Sequence, residues 1–171
     1  MRKPVVIDTN VLLVANGGPS YTRVCTLECA KQLLEIQKSG CVVLDHGYEI
    51  LREYAKNQPN VGQPGIGLEF WKWLLNTKGS SDHCEFVTIT QIHPSGYREF
   101  PSHDGLLNFD PSDRKFVAVS VVHDDRPPIL QATDSKWLQW NSALKDCGVL
   151  VKYLCPEEIK VRYEKKIKRP K

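Results

Sequence analysis

Residues 4–10 read Pro4-Val5-Val6-Ile7-Asp8-Thr9-Asn10, an apolar β-branched run broken at once by three polar residues. Such a run reads as a strand buried on both faces, because β-branched side chains favour extended backbone. The same kind of segment recurs as CVVL at 41–44, PILQAT at 128–133 and GVLVKYL at 148–154. Between these strands lie stretches with helical spacing: Tyr21–Lys38, closed by Ser39-Gly40; EILREYAKN at 49–57; LEFWKWLLN at 68–76; RKFVAVSVVH at 114–123; and SKWLQWNSALKD at 135–146. Ser112 is the expected N-cap of the fourth. FVTITQI at 86–92 alternates apolar and polar residues and predicts a strand with one wet face. NGGPS at 16–20 reads as a turn and NVGQPGIG at 60–67 as a loop. Pro94 to Pro111 has little periodicity and is expected to be a substrate or gating loop. Alternating strands and helices predict an α/β fold, a three-layer α/β/α sandwich around a central, mostly parallel sheet.

The chain has 171 residues, the length of one domain, and 41% of it is apolar, enough to exclude a disordered chain. No apolar run is long enough for a transmembrane helix. In MRKPVVIDTN an acid follows only three apolar residues, so no secretory signal is expected and the location is expected to be cytoplasmic. The last twelve residues hold seven basic and one acidic side chain; with a whole-chain net charge of +3, the rest is net −3. We therefore expect a single domain over 1–155 and a basic tail over 156–171 suited to a polyanion. The six cysteines are expected to be reduced and, where they sit in apolar stretches, buried. Cys25 and Cys29 stand one helical turn apart. No second pair has zinc-ligand spacing, so a closed zinc site, which needs four ligands, is not expected.

Parallel α/β sheets bind ligands beyond the carboxyl ends of their strands. Asp8 directly follows the first strand and Asp134 directly follows ILQAT. Glu53, with Glu49 as the alternative, lies on the helix after CVVL, and Asp113 opens the helix that leads into PILQAT. Each alone has a structural explanation: Asp113 as a first-turn acid, Asp134 as a cap, the glutamates as partners of lysines. Together, four carboxylates at one sheet edge are the donor set of a hard cation, Mg²⁺ or Mn²⁺. Such an ion relieves their mutual repulsion and generates a hydroxide able to attack a phosphodiester.

VVIDTNVLL at 5–13, ILREY at 50–54, FDPSDRKFVAVSVV at 109–122 and ILQATDSKW at 129–137 together resemble the PIN-domain nucleases, in the family's order. The resemblance implies a metal-dependent endoribonuclease whose catalytic, metal-binding acids fall on Asp8, Glu53, Asp113 and Asp134. It puts supporting polar residues at Asn10 and Thr133. Many members carry a further acid two residues after the last aspartate, where this chain has Lys136. The segment from about 78 to 111 is also longer than in the smallest members. The implied substrate is single-stranded or structured RNA. An antitoxin or other protein partner, and a homodimer, belong to the same implication, as in toxin-type members. Arg114, Lys115 and Lys136, beside the acids, are expected to hold phosphates. Trp137 and Trp140 are expected to be core aromatics, with base stacking as the other reading. The competing functions are a structure-selective DNA nuclease and a catalytically inactive RNA-binding or scaffold module. An aspartate-nucleophile phosphatase would want an acid at Asn10. A receiver-type domain would have Asp45 as its nearest match.

Overall fold

A computed structural model describes residues 2–58, 65–94 and 96–168. Five parallel strands form one sheet in the order β3-β2-β1-β6-β7: β1 (Lys3–Ile7), β2 (Gly40–Asp45), β3 (Cys84–Val87), β6 (Ile129–Gln131) and β7 (Val151–Tyr153). A two-stranded antiparallel ribbon, β4 (Gln91–His93) with β5 (Gly96–Tyr97), stands apart from it. The helices are α1 (Thr9–Ala15), α2 (Arg23–Ser39), α3 (Glu49–Asn57), α4 (Ile66–Thr77), α5 (Arg114–Val122), α6 (Trp137–Asp146) and α7 (Pro156–Ile167). They flank the sheet as the three-layer α/β/α arrangement expected of the sequence. None of the described helices is long and apolar enough to cross a membrane.

The hydrophobic pattern explains the order of burial. Every residue of β2 is buried, as befits a strand with a neighbour on each side and helices above and below. The chain runs outward from β1 to β2 and β3, then returns to the other side of β1 for β6 and β7. Crossovers between parallel strands are as a rule right-handed, so connections that run in opposite directions along the sheet put their helices on opposite faces. Thus α1, α2 and α4 pack on one another, while α5 lies against β1, β2 and β6. The seat of α4 on α1 requires a glycine, because a Cβ at Gly67 would stand 2.0 Å from the Leu12 carbonyl oxygen. At the same junction the Asn16 side chain accepts the backbone N–H of Leu68 at 2.8 Å.

Several local expectations are corrected. Asp8-Thr9-Asn10 does more than end a strand: Asp8 caps α1, its Oδ1 accepting the Asn10 N–H at 2.8 Å. A helix of seven residues is too short for its periodicity to stand out beside the preceding strand. The segment 86–92 is split, β3 ending at Val87 and β4 starting at Gln91. The stretch from 94 to 111 is a packed arm rather than a structureless loop: it holds β5 and a 3₁₀ turn at Asp104–Leu106, and buries Tyr97, Leu106 and Phe109. Phe109 meets the rings of Phe100, Trp137 and Trp140, and both tryptophans are core residues, which removes base stacking as their role. Ser112 is not the cap before α5. The N-cap position of α5 is Asp113, whose side chain makes no capping bond, and Asp110 caps the 3₁₀ turn over Pro111–Asp113 before it, accepting the Ser112 N–H. NVGQP of the expected 60–67 loop lies outside the described residues, and Ile66 already belongs to α4. The tail from 156 is helical to Ile167 and buries Ile159. Cys25 and Cys155 form a disulfide, against the expectation that all six cysteines are thiols.

Candidate functional site

The strand order reverses between β1 and β6, and ligands of open α/β sheets bind at the carboxyl side of that crevice. Asp8 leaves β1 there, its N–H held by the Leu130 carbonyl at 3.0 Å. Asn10 ties the two strand ends together. Its Oδ1 accepts from the Thr133 N–H at 2.6 Å and from the Thr133 hydroxyl at 3.1 Å, so both expected supporting residues meet each other. Glu53 reaches in from α3 and accepts the Thr9 hydroxyl at 2.6 Å. Glu49 instead pairs with Arg52 on its own helix, which leaves Glu53 as the acid in contact with α1. Asp113, 7% exposed, ends the 3₁₀ turn before α5. Asp134 follows β6 and accepts the Lys136 N–H at 3.3 Å.

Among the described residues no three carboxylates bring one oxygen each within 4.8 Å of one another, as the sulfurs of Cys25, Cys29 and Cys155 do. Their charges nonetheless act on one another. Burial, then Asp113, Glu53 and Asp134, push the Asp8 carboxyl well above its ordinary range, against the Asn10 N–H that favours its ionised form. Burial also pushes Asp113 up to about 6. Asp110 and Asp134 add to the rise, and Lys136 opposes it. Asp113 Oδ2 is buried without a directed hydrogen-bond donor, although Lys136 Nζ lies 3.3 Å away. A buried carboxylate oxygen is costly unless a cation or donor meets it, and here the Lys136 ammonium is that cation.

The three expected phosphate-binding residues have different fates. Lys136 stays in the cluster: its Nζ contacts Asp110 and lies 3.3 Å from both Asp113 and Asp134. Although burial alone would lower the Lys136 pKa, those three acids raise it above its ordinary value. Lys115 is buried and spent on Glu53 and the Ser112 carbonyl. Arg114 points away, to the Leu107 and Phe109 carbonyls and the face of Phe100. Asp110 escaped the sequence reading. Burial would raise its pKa, but the Lys136 and Ser112 hydrogen bonds outweigh that and hold it down at about 2. Its signal was present: an Asp directly before Pro at a helix start is a capping pattern. Asp45 caps α3 through the Glu49 and Ile50 N–H groups and is fully buried, so it serves the fold. Next to Asp134, the side chains of Arg162, Lys165 and Lys166 from α7 join Thr133 and Ser135 around a cleft of about 200 Å³. No family model, curated protein or solved structure matches the chain.

Proposed function

We propose that the protein is a divalent-metal-dependent nuclease acting on RNA, with Asp8, Glu53, Asp113 and Asp134 as its metal-binding carboxylates. The observation that carries this reading is the crowding of carboxyl groups at the β1–β6 crevice. Asp8 and Asp113 are buried acids whose pKa values are raised by burial and by neighbouring carboxylates, with the Lys136 ammonium, 3.3 Å from Asp113 and Asp134, as the cation among them. The donor set is all oxygen, which suits Mg²⁺ or Mn²⁺ rather than a thiophilic ion. A bound ion of this class polarises the phosphodiester and lowers the pKa of an attacking water.

The chain's own residues prepare that chemistry. Asn10 and Thr133 fix the spacing of the two strand ends, and Thr9 and Lys115 hold Glu53 in place. Lys136 neutralises the acids until the substrate and its counter-cation arrive, then turns to a phosphate oxygen. Lys165 and Lys166, beside an Arg162 paired with Glu158, line a cleft where the incoming backbone is held by charge. The choice of RNA over DNA comes from the resemblance to PIN-domain nucleases, as does a protein partner or homodimer; a cytoplasmic setting rests on the acid that interrupts the apolar run in MRKPVVIDTN.

The test is cleavage of single- and double-stranded RNA and DNA with Mg²⁺, Mn²⁺ or EDTA, comparing the parent with Asp113→Asn. RNA cleavage that needs the metal and falls more than about a hundredfold in the variant is expected, ligand-shell changes commonly costing that much. Metal-dependent cutting of DNA alone would move the substrate to DNA. Equal rates in parent and variant would reject the site.

A further inference from the structure

The acids are not the only place where distant residues converge. Cys25 lies in the first turn of α2, Cys29 one turn later, and Cys155 directly before α7. Their Sγ atoms lie within 4.8 Å of one another, and all three residues are at most 5% exposed. Cys25 and Cys155 are joined, with Cα atoms 5.4 Å apart, and Cys29 Sγ sits 3.9 Å from Cys155 Sγ. A disulfide needs two sulfurs; the third is surplus to it. Three sulfurs around one point are what a thiolate metal site needs. The Cys29–Cys155 separation matches the sulfur–sulfur edge of about 3.8 Å in a tetrahedron with bonds of about 2.3 Å.

We propose that Cys25, Cys29 and Cys155 form a redox-gated site for Zn²⁺, closed by the Cys25–Cys155 disulfide when oxidised and open as three thiolates when reduced. Opening takes two electrons and two protons from a dithiol, which becomes its own cyclic disulfide while Cys25 and Cys155 become thiols. Zn²⁺ then replaces the three thiol protons, which pass to water. The fourth position is open to water from an adjoining cavity of about 620 Å³ that Cys25 and Cys155 line. Glu158 is already taken by Thr22 and Arg162. In either state the sulfurs fasten the start of α7 to α2. The site is independent of the carboxylate reading, since its donors select a different class of ion.

Co²⁺ titrated into the dithiol-reduced, desalted full-length protein under anaerobic conditions tests this. The expected result is sulfur-to-cobalt charge-transfer absorption, which carboxylate-bound cobalt does not give, saturating at one ion per chain and abolished by Zn²⁺. Cys29→Ser keeps the disulfide pair, so its fold is checked in the oxidised form by circular dichroism. Reduced, it should bind at least tenfold more weakly, and oxidised parent should give no such absorption. Alkylation of the reduced parent, mapped by mass spectrometry, should show Zn²⁺ protecting Cys25, Cys29 and Cys155. Absence of the band in the reduced parent, parent-like affinity in Cys29→Ser, or protection of other cysteines instead would overturn the proposal.

Discussion

The carboxylate cluster and the sulfur cluster both gather residues from distant parts of the chain at the carboxyl ends of strands, but they resolve their chemistry in opposite ways. The sulfurs satisfy one another: a covalent bond joins Cys25 to Cys155 and closes a loop of 130 residues. The acids do not. Asp8 and Asp113 are buried beside other negative groups, and Lys136 is the cation set among Asp110, Asp113 and Asp134. One cluster spends its chemistry on holding the fold together. The other, in the same oxidised protein, keeps buried charge at a cost to the fold.

Substitutions at the two places should therefore move stability in opposite directions. Under non-reducing conditions Cys155→Ser should lower unfolding free energy by about 2–5 kcal/mol, the usual cost of losing a native disulfide. Asp8→Asn should do the reverse in EDTA at pH 8 while abolishing RNA cleavage. The amide removes a buried charge at nearly constant shape, and asparagine caps a helix as well as aspartate does. Urea denaturation of both variants against the parent checks this. A destabilised Asp8→Asn would mean that the acids hold the fold and would erase the contrast.

A smaller effect follows from pH. The folded Asp113 carboxyl is raised to about 6 from an ordinary 3.8, so the folded state retains a proton that the unfolded chain has released. Its stabilising contribution is complete below about pH 4 and is lost as pH rises through 6, a change on the order of 3 kcal/mol. Asp8, also raised, acts in the same direction. In EDTA, the parent should lose stability relative to Asp113→Asn between pH 4 and 7. Added Mg²⁺ should restore the parent at pH 8 and do little at pH 5, where protons compete for the same oxygens. Melting temperatures across that range give the answer, and parallel curves for parent and variant would contradict the assignment.

What the sequence disclosed follows the reach of its signals. β1, β2 and β6 are legible because a β-branched apolar run has few other uses, and acids at strand ends follow from that placement. Glu53 over Glu49 was not decidable from spacing, since both lie on one helix face; Thr9 and Arg52 separate them in three dimensions. The burial of Lys115 and the outward turn of Arg114 depend on where the arm carrying Phe100 and Phe109 folds, and no local pattern encodes that. Cys155 lies 126 residues from Cys29, so only the tertiary fold could make the pair a trio.

The smallest expected effect concerns α7, which lies near both clusters: Cys155 precedes it and its basic residues border Thr133 and Ser135. If Lys165 and Lys166 contact RNA phosphates, each contact releases counterions, and the slope of log affinity against log salt changes by about 0.7 per contact for a single strand. The Lys165→Ala, Lys166→Ala double variant should therefore flatten that slope by about 1.4 when both lysines are engaged. Both side chains are exposed, so the fold and its unfolding free energy should stay as in the parent. Filter binding of Asp113→Asn protein, expected not to cleave, with and without the double change, isolates binding from cleavage across a salt series. A slope unchanged by the double variant would separate α7 from the substrate path and leave its basic residues as a solvated face. A flattened slope would give α7 two roles at its two ends, fastened by sulfur at one and meeting polyanions by charge along the other.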